Sequence, residues 1–124
     1  MARILLIDDD EPFRSVLKVS LQQMGHDVID ARDGCEGVAL YTGGGFDIVV
    51  TDLIMPDKEG IETIMDLRKL NPAVKIIAMS GGGRVTSVDY LQIARQVGAK
   101  RILAKPFLYE DIKVAIEQLM ESPA

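Results

Sequence analysis

Ile48-Val49-Val50-Thr51-Asp52 is the stretch that decides the fold: four β-prone residues in succession, then a carboxylate. A strand with one face in water alternates apolar and polar residues. A run without that alternation belongs inside a parallel sheet, covered by helices on both faces. Three further runs have the same form: Leu5-Leu6-Ile7 leads into Asp8-Asp9, Ile76-Ile77-Ala78-Met79 into Ser80, and Ile102-Leu103-Ala104 into Lys105-Pro106. In open parallel sheets, ligands bind outside the carboxyl ends of the strands, near the point where strand order reverses. Each run therefore delivers its polar residue to one edge of the sheet. Carboxylates, a hydroxyl and an ammonium gathered there make a site for a divalent cation and a phosphoryl group.

The segments between the runs have helical character. Pro12 suits a first helical turn, where its missing N–H would be unpaired anyway, and Asp9 and Asp10 stand ahead of it as cap candidates, Asp10 serving only as a cap. Phe13, Val16, Leu17, Leu21 and Met24 then recur at helical spacing, and Gly25 is placed to end the helix in a left-handed conformation. A weaker strand, Asp27 to Ala31, is interrupted by Asp30 and suits an edge. Asp33 with Glu36 three residues on reads as a capping box; the helix it opens runs through Val38, Ala39, Leu40 and Tyr41 and stops at Gly43-Gly44-Gly45. A third helix is expected from Gly60 to Leu70 with Ile61, Ile64, Met65 and Leu67 inward, ended by Asn71-Pro72. A fourth is expected from Thr86 to Gln96, with Val88, Leu91 and Ile93 or Ala94 inward and Gly98 closing it. The fifth, Tyr109 to Met120, should bury Ile112, Ala115, Ile116 and Leu119. This regular alternation predicts an α/β fold, a doubly wound sheet of five parallel strands sandwiched between helices.

A chain of 124 residues fits one domain, 1–124, with no linker, repeat or low-complexity segment. The net charge of −5, with Lys and Arg scattered, excludes the basic stripe that a nucleic-acid surface needs. Cys35 is the sole cysteine, and no Cys/His pair has zinc-ligand spacing. His26 follows a helix-ending glycine with no acid or thiol partner at useful spacing, so it reads as a surface turn residue. The short apolar run behind Met1-Ala2-Arg3 is too short for a signal-peptide core or a membrane span, and the cytoplasm is the expected compartment.

If the first and third strands are neighbours, Asp8, Asp9 and Asp52 crowd three negative charges together. That arrangement is costly unless a cation neutralises it. Lys105 supplies one positive charge and a hard divalent metal could supply two. Magnesium is the expected ion, because it accepts a few carboxylates and a carbonyl and keeps open positions that phosphate oxygens can take. A carboxylate is also a competent nucleophile toward phosphorus. Holding the equatorial oxygens of an in-line transfer is then a matter of positioning and electrostatics. Gly43-Gly44-Gly45, by contrast, lacks the following lysine-serine pair of a nucleotide cradle.

The residues that carry this chemistry give the chain a family likeness over about residues 3 to 120. It resembles the receiver domain of two-component response regulators, in the acidic pair Asp8-Asp9, in Asp52 followed by Met55-Pro56, in Ser80, and in Gly98-Ala99 leading to Lys105-Pro106-Phe107. The resemblance implies a flavodoxin-like (βα)5 sandwich with strand order 2-1-3-4-5 and a cis peptide before Pro106. It also implies that Asp52 accepts phosphate from a histidine kinase or histidine phosphotransferase. Asp9 and the Ile54 carbonyl would join Asp52 on magnesium, Asp8 would act through a metal-bound water, Ser80 would bond the phosphoryl group and Lys105 would pair with it. Such a domain is a phosphorylation switch that catalyses its own phosphoryl uptake and slow hydrolysis. Its output goes through a partner or an effector domain, and it is expected as a monomer or weak dimer.

The chain departs from the family pattern in two places. Receivers usually carry Tyr or Phe three residues before the lysine, where the ring turns inward on activation; here the position is Ile102, so the usual aromatic switch is absent. Gly81-Gly82-Gly83 follow Ser80, and a loop so rich in glycine is expected to be mobile without phosphate and to order upon phosphorylation. Three other readings stand beside this one. Asp8-Asp9-Asp10 also matches the D-x-D of haloacid-dehalogenase-like phosphohydrolases, although Asp52 would then have no role and a later acidic pair is missing. A flavodoxin-like FMN module would need a phosphate loop rich in Ser, Thr and Gly where the aspartates stand. A pseudo-receiver that only docks partners would not need Asp9, Asp52, Ser80 and Lys105 together.

Overall fold

Each of the four apolar runs forms a strand, and the weaker stretch after the first helix forms a fifth. In the computed structural model, which describes residues 1–53, 60–80, 92 and 94–121, the strands are β1 (Arg3–Ile7), β2 (Asp27–Ala31), β3 (Ile48–Asp52), β4 (Ile76–Ser80) and β5 (Arg101–Ala104). They pair in parallel in the order β2-β1-β3-β4-β5. The helices are α1 (Glu11–Gln23), α2 (Gly34–Thr42), α3 (Gly60–Leu70), α4, of which 92 and 94–97 are described, and α5 (Tyr109–Glu121). This is the doubly wound α/β architecture that the alternation predicts, with the flavodoxin-like strand order that the family resemblance implies. Among the described residues, no helix is long and apolar enough to cross a membrane.

Successive strand residues point to opposite faces of the sheet, so each strand feeds two cores. Ile4, Leu6, Ile48, Val50, Ile77 and Met79 pack with Leu17 and Leu21 of α1 and with Ile112, Ala115, Ile116 and Leu119 of α5. Leu5, Ile7, Val49, Ile76 and Ala78 face the other way, onto Ile64 and Leu67 of α3 and Ala94 of α4, with Val38 and Leu40 of α2 at the margin. Full burial of such side chains stabilises by about 1.5–3 kcal/mol each. All of β3 and β4 is buried, as is β1 after Arg3. Strand β5 is only half covered, because it is an edge with a neighbour on one side alone.

The helix ends follow local chemistry. The Phe13 N–H donates to Asp10 Oδ1 at 3.2 Å, which makes Asp10 the cap of α1, and Gly25 has φ +97°. The Glu36 N–H donates to Asp33 Oδ1 at 2.8 Å, while Glu36 Oε1 accepts from Arg32 N–H at 2.8 Å, one residue ahead of the cap. Two side chains of the apolar periodicity face water: Val16 is 68% exposed and Met65, expected inward, is 46% exposed. Each sits one residue, about 100° around the helix, from a core residue, Leu17 or Ile64. The covered stripes are narrower than the apolar pattern. Val88, Leu91 and Ile93 lie outside the described residues.

Candidate functional site

The sheet register brings the polar strand ends together. Ile7 pairs with Thr51, Asp52 with Met79 and Ser80 with Ala104, so Asp8, Asp52, Ser80 and Lys105 line one edge. Asp52 and Ser80 end their strands from within, one residue later than the apolar runs suggest. The ladder holds them there: Leu53 N–H donates to Met79 O at 2.9 Å and Lys105 N–H to Ser80 O at 2.7 Å. Both are nearly buried, Asp52 at 5% and Ser80 at 2% exposure.

Asp8 is fully buried and held at every polar atom. Its N–H donates to Ala31 O at 3.1 Å and its carbonyl accepts from Arg14 Nη1 at 2.7 Å. Its Oδ1 accepts from Asp10 N–H at 2.9 Å and its Oδ2 from Lys105 Nζ at 2.8 Å. The same ammonium lies 3.7 Å from Asp52 Oδ2 and 4.0 Å from the centroid of the Phe13 ring, which stands edge-on to Phe107. Asp52 Oδ1 accepts from Leu53 N–H at 2.9 Å. The peptide between Lys105 and Pro106 is cis.

One carboxylate oxygen from each of Asp8, Asp9 and Asp52 lies within 4.8 Å of the other two. Asp9 is exposed while its companions are buried, so the cluster opens outward through Asp9. Among the described residues, three carboxylates face one lysine across an all-oxygen donor set, and such a set fits a hard divalent cation. The Ile54 carbonyl and Gly81 lie outside the described residues. Ile102 pairs with Ala78 and packs, half-buried, against the core under α3 and α4.

Sequence reasoning passed over a charged group beside the site. Arg14 Nε donates to Asp30 Oδ2 at 2.8 Å and Lys18 Nζ to Asp30 Oδ1 at 2.9 Å. Burial alone would push the Asp30 carboxyl up, but the hydrogen bonds and charges of Lys18 and Arg14 outweigh it and hold the carboxyl below its ordinary value. The signal was present: an acid interrupting an edge strand, and two cations four residues apart on the preceding helix. His26, away from this edge, accepts Ala2 N–H at Nδ1, 3.0 Å. Burial, then the N-terminal amino charge, pulls its imidazole below 6.5 despite an opposing effect of Glu117.

The profile of the response regulator receiver domain matches residues 4–117. Among curated relatives, the DNA-binding transcriptional regulator NtrC of Azospirillum brasilense is 32% identical over 98% of this chain and 24% of its own length. The transcriptional regulatory protein CpxR of Klebsiella pneumoniae is 32% identical over 97% of this chain and 50% of its own. The sensor kinase CckA of Brucella abortus is 30% identical over 97% of this chain and 13% of its own. The chain thus spans half or less of each of these three relatives. A receiver domain protein from Clostridium thermocellum superposes with a TM-score of 0.90 at 30% identity, covering 97% of this chain and 94% of that one. With its fold, its acidic edge and its relatives in agreement, the chain belongs to the response regulator receiver domain family of two-component systems.

Proposed function

We propose that residues 1–124 act as a single phosphoacceptor domain, in which Asp52 takes a phosphoryl group from the phosphohistidine of a histidine kinase or histidine phosphotransferase. The observation that carries this reading is Lys105 Nζ, set 2.8 Å from Asp8 Oδ2 and 3.7 Å from Asp52 Oδ2 beside a cluster of three carboxylates. An Asp52 oxygen bonds phosphorus as the N–P bond to the donor imidazole breaks. Lys105 pairs with the incoming oxygens, and the Ser80 hydroxyl donates to them. Asp8, Asp9, Asp52 and the Ile54 carbonyl would hold magnesium or anchor its ligands, and the ion would supply positive charge to offset three carboxylates facing a phosphoryl group. The domain catalyses its own phosphorylation and slow hydrolysis and works as a switch, not as a turnover enzyme.

Output passes to a downstream protein or effector region, with no direct nucleic-acid contact and no membrane contact, from a cytoplasmic monomer or weak dimer. The relatives named as transcriptional regulators and as a sensor kinase support a domain that serves either setting. With Ile102 where an aromatic usually stands, the signal leaves by another route than ring rotation. Intact-mass analysis after acetyl phosphate and magnesium tests the reading. Wild type should gain a phosphoryl adduct of about 80 Da and Asp52→Asn should not; adducts on both proteins, or on neither, would overturn it.

A further inference from the structure

Arg14 is too well tied to be a solvated helix residue. Its side chain is only 12% exposed, and its two hydrogen bonds run to different strands: Nε to the Asp30 carboxylate on β2, Nη1 to the main-chain carbonyl of Asp8 just past β1. Lys18 takes the other Asp30 oxygen, so the carboxylate is held from both sides. Asp8 is the first residue of the turn that carries the acidic pair, and its Oδ1 in turn receives Asp10 N–H.

We infer that Arg14 is a positioning residue for the acidic pair: braced by Asp30, its guanidinium holds the Asp8 carbonyl and so sets the direction in which the Asp8 and Asp9 carboxylates face the cation. The inference rests on the proposed phosphoacceptor reading for its purpose, though not for its geometry. A guanidinium is suited to this task because its planar fork reaches two acceptors at once. A lysine ammonium at the same position could satisfy Asp30 or the Asp8 carbonyl, but it lacks the fixed two-pronged reach that joins them. Without the fork, the Asp8 carbonyl loses its guanidinium partner, and the Asp8 N–H and carboxylate contacts are left to hold the turn. Partners that orient metal ligands in this way change metal affinity when they are removed.

Two measurements on Arg14→Met, Arg14→Lys and Asp30→Asn test this. In metal-free protein, exchange of the Asp10 amide, which donates to Asp8 Oδ1, should quicken severalfold in Arg14→Met relative to amides in the middle of β3. By calorimetry, the magnesium dissociation constant should rise by about tenfold in Arg14→Met, with Arg14→Lys and Asp30→Asn shifted in the same direction by less. Leu119→Ala, a core truncation under α5 at the far end of the sheet, serves as a destabilised control whose magnesium affinity should match wild type. Unchanged Asp10 exchange together with unchanged magnesium affinity in Arg14→Met would overturn the inference. Equal weakening in Leu119→Ala would overturn it too, since lost stability would then account for the effect. Should wild type itself bind no magnesium and take no phosphoryl group, the proposed function fails, while the metal-free exchange still decides what Arg14 does. If Arg14→Met does not fold, Arg14→Lys and Asp30→Asn carry the same comparison.

Discussion

Replacing Asp52 with Asn should make the metal-free protein more stable, by about 2 kcal/mol, because the site is built at the expense of the fold. With carboxylate oxygens within 4.8 Å, each like-charge pair costs about 3.5 kcal/mol at an effective dielectric of 20. Asp52 takes part in two such pairs. Among the described residues, its attraction to Lys105 at 3.7 Å, about 4.5 kcal/mol on the same basis, stands against them. Repulsion exceeds attraction, and screening of the exposed Asp9 narrows the margin. Asp52 is 5% exposed, so the amide also escapes the desolvation that a buried carboxylate suffers. Asn keeps an oxygen for the Leu53 N–H, so that hydrogen bond survives. The assay is urea unfolding at pH 7 and low salt, in chelator and again with saturating magnesium. Asp52→Asn should unfold at higher urea in chelator. The gap should close with magnesium, which stabilises the wild type by binding the folded state alone. A variant equal to or less stable than wild type in chelator would refute the electrostatic reasoning.

Other consequences concern space and protons. A Cβ on Gly60 would overlap Asp52 O and Leu53 Cα and lie 3.0 Å from the Asp52 carbonyl carbon; Gly60→Ala should therefore lose about 1–3 kcal/mol by overpacking despite alanine's better helix propensity, as read by denaturant midpoint. The three atoms nearest a Cβ on Gly37 belong to the Ile7 side chain and not to backbone, so Gly37→Ala should cost less than Gly60→Ala. Because the folded-state pKa of His26 is lowered from 6.5, the unfolded chain binds the proton first, so its contribution to stability is complete above pH 6.5 and falls as pH drops below it. His26→Gln keeps an acceptor for Ala2 N–H and should flatten that part of a thermal-stability profile. For Asp30, also lowered, the contribution is present above its ordinary 3.8 and is lost as pH falls through the still lower folded value. Asp30→Asn should abolish that segment of the acid-unfolding curve and reduce its salt sensitivity.

The architecture was legible because its signals are local. Runs such as Ile48–Thr51 state their own burial, and Pro12, Asp33, Gly25 and Gly98 mark helix ends through backbone chemistry that needs no distant partner. The polar strand ends were legible for a related reason: in a parallel sheet, strand direction alone sends them to one edge. Periodicity misjudged Val16 and Met65, since an apolar residue at helical spacing says nothing of how wide a stripe its neighbours cover.

By itself, then, the sequence determined the strand and helix order and which groups meet, down to Asp8, Asp9, Asp52, Ser80 and Lys105 at a common edge. Only the tertiary structure decided how each is held. That Asp8 is saturated at all four polar atoms depends on α1, β2 and the segment after β5 arriving together. That Gly60 must be small depends on the backbone that carries Asp52 passing against it. That Arg14 braces the acidic turn depends on Asp30, a residue that in sequence only weakened a strand. Hydrogen bonds and steric contacts act over a few ångströms between residues far apart in the chain, and no local pattern encodes such distances.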